Sequence, residues 1–354
     1  MPCCKTVWHF YCILSPEPIL FHFTLRFKFL ILKKMKNIIP LLLFLLTLNS
    51  IAQEKNAEKS KLDLYSDTLK TICKKLYSAK SDNEKNKYNR ILLHTFELAL
   101  NEPSSFEYGF DSLNDIARLL PPDKEFRIIN WNVPYEDGTQ EYFGFIQKKF
   151  VPLKKNGKVD KERGEAVQLY PLIDKSLEIK NPENTISDNK KWYGMLYYKI
   201  ITRKTKSKTY YTLLAWDGND KFTVKKIIDV LTFDNNGVPH FGADVFVMEK
   251  KYPKRVIFEY AANCSMSLKY NSKKDSIVFD HLAPSQPQLE GQYQYYCTDM
   301  SYDGFGFKHG KWNYGIDVNA LNDKSMSDKL YNDPHNTKTT HESNTIIIRE
   351  KKKK

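Results

Sequence analysis

Between residues 62 and 99 apolar side chains recur every three or four positions: Leu62, Tyr65, Leu69, Ile72, Cys73 and Leu76, then Tyr88, Leu92, Thr95, Phe96 and Ala99. An α-helix turns once in about 3.6 residues, so each set forms one stripe and the spacing predicts two amphipathic helices. They are joined around "SAKSDN", where Ser81 or Asp82 can accept a hydrogen bond from the first free N–H groups of the second helix. A third, short helix is expected from Asp111 to Leu120, stopped by Pro121 and Pro122, because proline cannot extend it. The stripes read as core packing, since no His or carboxylate pair occurs on both helices in a metal-site arrangement.

From Phe126 to about Ile316 the period falls to two and the residues become β-branched and aromatic, as in "FRIINWNV", "EYFGFIQKKF", "KTYYTLLAWDG", "SIVFDHLA" and "FGFKHGKWNY". Turn formers such as "EDGT", "WDGND", "DNNGVP" and "KHGK" separate them, and connections this short join antiparallel neighbours. The expected class is α+β: a helical region over 57–120, then a large antiparallel β meander over 121–318. A meander of about ten strands closes as a sandwich, an open barrel or a propeller-like array. No clean repeat of propeller-blade length is present, which counts against a full propeller. The polar segment from Val151 to Lys191 shows weak strand character only at "VQLYPLI" and is expected to run as surface loops.

Ahead of the helices lies "MKNIIPLLLFLLTLNSIAQ", residues 35–53, with Lys33, Lys34 and Lys36 before an apolar run from Ile38 to Leu48. Basic start, apolar centre and small-residue exit are the parts of a secretory signal peptide over 35–52, with cleavage expected between Ala52 and Gln53. Spanning a bilayer takes about 20 apolar residues, so no stable membrane anchor is expected after cleavage. Residues 1–34 contain no Gly, Ala, Asp or Asn, unlike a folded domain or a solvated tail, and read as an upstream extension before a start at Met35. The expected location is periplasmic or secreted. Residues 319–354 read as a flexible basic tail ending in "REKKKK".

The leader alters the charge picture. The chain is +13, but residues 1–52 hold six Lys or Arg and one Glu, and the last six residues add another +4, leaving the body near +4. Its lysines are interspersed with acids, as in "KKNGKVDKERGE", so no nucleic-acid partner is expected. Beyond the leader three cysteines remain, Cys73, Cys264 and Cys297. In an oxidising compartment Cys264 and Cys297 are the better candidates for a disulfide, since both lie in the β region.

The strings "WYGMLYYKII", "YYTLLAWDGND", "KKIIDVLTF", "KRVIFEYA", "IVFDHLAP" and "SYDGFGFKHGKW", preceded by "FRIINWNVPYEDGTQEYFGFIQ", resemble a group of secreted proteins of Bacteroidetes-type bacteria to which no activity is assigned. The resemblance covers most of residues 60–318. It implies export, a bacterial source and a start at Met35, and brings no reaction with it.

His-Glu-x-x-His, Gly-x-Ser-x-Gly and Gly-x-x-x-x-Gly-Lys are all missing from the sequence. The most site-like stretch runs from Asp280 to Asp303 and offers Asp280, His281, Asp299 and Asp303 as catalytic candidates, since a His beside carboxylates can act as a general base. Asp280 and His281 are neighbours on a predicted strand and should point to opposite faces. "DGND" at 217–220, "DNNG" at 234–237 and the pair Asp299 and Asp303 carry oxygen ligands for calcium, but the first two are what tight turns require. No metal or cofactor is expected. Aromatic residues crowd the strands, and adjacent pairs such as Tyr197 with Tyr198 and Tyr210 with Tyr211 place one ring on each face. The outward set is either a second buried face or an exposed platform, with Trp216, Tyr293, Tyr295, Tyr302 and Phe305 the binding candidates for a glycan, peptide or envelope protein. Two function classes follow: a non-enzymatic exported binding or accessory module, or a hydrolase of envelope or extracellular polymers using the 280–303 region.

Overall fold

The computed structural model describes residues 61–152, 166–206 and 208–315. The leader, the extension before it and the basic tail lie outside the described residues. The chain divides into two units, Met1–Lys61 and Leu62–Lys354, and the fold below is that of the second.

Two helices open it, α1 (61–78) and α2 (Asp82–Leu100). The apolar stripes face the core as expected, with Leu62, Leu69, Ile72, Cys73, Leu76, Leu92, Phe96 and Ala99 all buried. Ser81 is the N-cap of α2, its hydroxyl accepting the Glu84 N–H at 3.4 Å, and Asp82 and Glu84 place negative charge where the helix dipole is positive.

Fifteen strands follow among the described residues. The first sheet has the order β1 (Ala117–Leu119), β2 (Phe126–Pro134), β3 (Gln140–Phe150) and β4 (Ala166–Ile173), all antiparallel. The second runs β5 (Ser187–Asp188), β9 (Pro239–Phe241), β8 (Thr223–Phe233), β7 (Thr209–Asp217), β6 (Leu196–Lys204). One edge of β8 is shared lengthwise: β11 (Val256–Ala261) pairs with its first half and β9 with its end. The third runs β10 (Phe246–Val247), β15 (Lys311–Gly315), β14 (Tyr296–Lys308), β13 (Ser276–Pro284), β12 (Leu268–Asn271), antiparallel except where β10 meets β15.

Strand alternation stacks these sheets. On β2, Ile129, Trp131 and Val133 face the helices, while Phe126 and Ile128 face the second sheet. On β7, Tyr211, Leu213 and Ala215 meet the first sheet, and Leu214 meets the third together with Phe279, Phe305 and Trp312. The result is four layers, helices and three sheets, with both faces of the first and second sheets buried. Polar pins cross each boundary: Trp131 Nε1 donates to Asn89 Oδ1 at 2.8 Å, Tyr142 Oη to Asp217 Oδ1 at 2.9 Å, and Trp312 Nε1 to Thr212 Oγ1 at 2.9 Å. The sandwich alternative describes this stack, since each sheet has open edges and none closes into a barrel.

Two local expectations are corrected. The segment from Asp111 to Leu120 is a set of turns leading into β1 rather than a helix. Ser, Asn and Asp in "DSLND" favour turns, and pairing of Ala117–Leu119 with Asn130–Ile128 of β2 gives the backbone its partners there. The segment after Val151 is not all surface loop: "AVQLYPLI" is β4, paired with β3 along its whole length, with Pro171 tolerated on an edge strand. Downstream, Ile179 and Trp192 are buried between the first two sheets.

The paired tyrosines divide as expected. Tyr197 and Tyr211 lie in the core between the first and second sheets; Tyr210 packs against the core on the far side, and Tyr198 donates its hydroxyl to Leu268 O at 3.0 Å. The outward rings are thus divided: Tyr210 is half-buried against the core, whereas Tyr198 remains exposed.

Candidate functional site

The polar residues of the 280–303 stretch gather where β13 pairs with β14. Phe279 stands opposite Asp303 and Asp280 opposite Tyr302, and pairing then resumes at Leu282 with Thr298. His281 thus faces Asp299, Met300 and Ser301, so β14 bulges outward by two residues. Met300 carries the bend at φ 68° in the left-handed region and is 91 % exposed. Asp299 fastens the bulge, its Oδ1 accepting the Ser301 N–H at 3.0 Å and the Ser301 hydroxyl at 2.6 Å.

Inside the bulge, His281 Nδ1 lies 2.7 Å from Asp303 Oδ2, and the Tyr314 hydroxyl on β15 donates to the same oxygen. Asp303 is buried, whereas the His281 side chain is 41 % exposed. A carboxylate at Nδ1 fixes the tautomer with the proton on that nitrogen and turns the Nε2 lone pair outward, 3.9 Å from Asp299 Oδ2. Burial, and then the bond to Asp303, pushes the Tyr314 phenol above its usual range and keeps it a donor. The Ser301 hydroxyl, with its N–H and the nearby imidazole, holds Asp299 below the usual carboxylate range. The disulfide between Cys264 and Cys297, Cα–Cα 5.7 Å, ties the turn after β11 to the start of β14, two residues before Asp299.

Asp280 points the other way, as alternation predicts. Its Oδ2 accepts the Ser267 N–H at 2.8 Å on the outer face of the third sheet. There a groove of about 730 Å³ is lined by Ser267, Lys269, Asn271, Val278, Asp280 and Tyr302, among others. Tyr302 is 40 % exposed and Lys269 exposed. Beyond Tyr302, β14 places Gly304 opposite Val278 and Gly306 opposite Ser276, and a Cβ on Gly306 would meet nothing within 4 Å. The strand is thus left without side chains beside the groove.

The catalytic candidates therefore split. His281, Asp299 and Asp303 converge, and Asp280 belongs to the groove. Among the aromatic candidates, only Tyr302 lines the groove. Tyr293 and Tyr295 are exposed on the connection before β14, Trp216 is half-buried on β7, and Phe305 is fully buried, so it presents no surface to a ligand. Phe305 lies on the inward side of β14, and its ring packs against Phe246, Phe279 and Tyr314. Tyr314, Ser301 and the β12 residues of the groove were not anticipated. Tyr314 falls in the predicted strand "FGFKHGKWNY", but nothing in the sequence marks it, Ser301 or the β12 residues as parts of one site.

The Asp-rich turns are occupied by their own backbone. Asp217 Oδ1 accepts the Asn219 N–H at 2.8 Å, with Asn219 at φ 45°, and Asp234 Oδ1 accepts from Asn236 and Val238. Among the described residues, no group of three or more His, Cys, Asp or Glu side chains could hold a metal ion.

Comparison of the chain with protein-family models, with curated proteins and with solved structures returns no match. The assignment of a role rests on the geometry above.

Proposed function

We propose that this is an exported bacterial protein, akin to the Bacteroidetes-type secreted proteins its strands resemble, that works in the periplasm or outside the cell as a non-enzymatic binding or accessory module. The observation that carries the binding role is the groove. It has the volume of a small-ligand site and lies on the one sheet face that no other layer of the described residues covers. Export is supported by the leader and by a disulfide suited to an oxidising compartment. No helix of the described residues is long and apolar enough to cross a membrane.

Sedimentation of the protein with isolated bacterial envelopes tests this reading. Retention should saturate and should be lost when Val278→Arg fills the groove; absent or unsaturable retention overturns the proposal.

A second reading, hydrolysis of an envelope or extracellular polymer, is favoured by one observation: His281 has a buried carboxylate on Nδ1 and its Nε2 toward solvent. In that reading His281 Nε2 takes a proton from the water that attacks the scissile bond and passes it to the group that leaves, while Asp303, held by Tyr314, orients the ring. Release of soluble fragments from envelopes by the wild type and not by His281→Ala would establish it, and equal release by both would exclude it.

A further inference from the structure

The reading of the groove as a binding site leaves its ligand open, and the lining narrows the choice. Its side chains are hydroxyls, an amide, ammonium groups and one carboxylate, from Ser267, Ser272, Asn271, Lys269, Lys273 and Asp280, with Tyr302 as the exposed ring. A peptide held by its side chains needs apolar pockets at alternate positions. Here Val278 is the one aliphatic side chain in the lining, and the rings of Phe279 and Tyr270 pack toward the core. The lining carries two lysines against Asp280, a net of one positive charge, with Lys274 next in the chain, so an acidic polysaccharide is the rival ligand that the test has to separate.

A saccharide fits each feature. Its ring presents a flat C–H face that packs on an aromatic side chain, and its hydroxyls both donate and accept, matching the mixed lining. Asp280 commits Oδ2 to the Ser267 N–H, and a carboxylate retains acceptor capacity for a hydroxyl. At Gly306, where an added Cβ would meet nothing within 4 Å, the backbone leaves open space over β14 beyond Tyr302.

We infer that the groove on the outer face of the third sheet is a saccharide subsite that takes a short, largely uncharged oligosaccharide, with Tyr302 as the stacking ring and Asp280 as the hydroxyl acceptor. The inference rests on the binding reading proposed above, and its test separates the two.

Isothermal titration of the full chain with defined neutral oligosaccharides from bacterial envelopes is the measurement, at low and high salt, with short peptides and an acidic polysaccharide as the other probes. Saturable binding of a neutral oligosaccharide is expected, nearly unchanged by salt because no ion pair carries it. Tyr302→Ala should weaken it about tenfold or more, and Val278→Arg should remove it, with both variants melting near the wild-type temperature. Binding of only the peptide or only the acidic polymer overturns the saccharide assignment, as does oligosaccharide binding that survives both substitutions. If envelopes retain the wild type and lose Val278→Arg while no oligosaccharide binds, the saccharide assignment fails and the binding module stands. If envelopes do not retain the wild type either, the binding reading itself fails.

Discussion

Arg255 and Asp229 are both fully buried in the second sheet, with Arg255 Nε 3.2 Å from Asp229 Oδ1. The guanidinium also donates to Pro182 O at 2.5 Å, and Tyr197 offers its hydroxyl to Asp229 at 3.5 Å. Removing one partner strands a charge without water, so Arg255→Met should cost about 3–5 kcal/mol in urea unfolding. Adding Asp229→Leu should recover part of that loss, because the remaining charge is gone. At the bulge the relevant variable is pH. The Ser301 hydroxyl depresses the Asp299 carboxyl, so the unfolded chain binds the proton more readily and stability rises with pH through this region. This contribution is present above the ordinary carboxylate pKa of about 4 and is lost as pH falls through the lower folded value. Melting followed from neutral to acid pH should therefore show a smaller acid loss in Asp299→Asn than in the wild type. An identical or steeper loss would refute the assignment.

Elements differ in how plainly the sequence announces them. Helix α2 was legible because its stripe, cap and first-turn acids agree, and Ser81→Ala should cost about 1 kcal/mol by removing the hydroxyl that caps Glu84 N. Strand β1 was not legible, since three residues carry too little periodicity to outweigh an apparent stripe and only β2, in space, supplies their partners. Strand β4 was only faintly legible: "VQLYPLI" shows weak strand character, but it carries a proline and sits in a polar segment, and it becomes a full strand because β3 offers an unpaired edge. The candidate site was half visible. Asp280 and His281 could be assigned opposite faces from their order alone, but the two-residue bulge that brings Asp299 and Asp303 to one side is a matter of register, which no local pattern encodes. The disulfide fixes that register from outside the strand pair. Replacing Cys264 and Cys297 with serine should destabilise the protein by about 2–4 kcal/mol in denaturant unfolding. It should also raise hydrogen exchange first at the start of β14, whereas uniform exchange over the whole fold would argue against a local clamp.

At the scale of the molecule, stacking gives each sheet a different task. The first two are buried on both faces and hold the architecture; the third is buried on one face, and its outer face carries the groove. That division explains why aromatic crowding along the strands is a poor guide to ligand sites: most of those rings fill the interfaces between sheets, and Phe305 is one of them. It also explains why the exposed Tyr302, next to two glycines, carries more information than the buried clusters.

The same account ties location to chemistry, because the clamp beside the bulge forms only where thiols are oxidised. The most direct measurement is to produce the full chain in a bacterium with two membranes, separate periplasm from cytosol, and determine the N-terminus and thiol reactivity of the protein by intact mass. The account predicts periplasmic or secreted protein beginning at Gln53, with Cys264 and Cys297 unreactive and Cys73, buried and pushed up to about 12, reacting only after unfolding. Cytosolic protein that keeps residues 35–52 and has reactive Cys264 and Cys297 would contradict it.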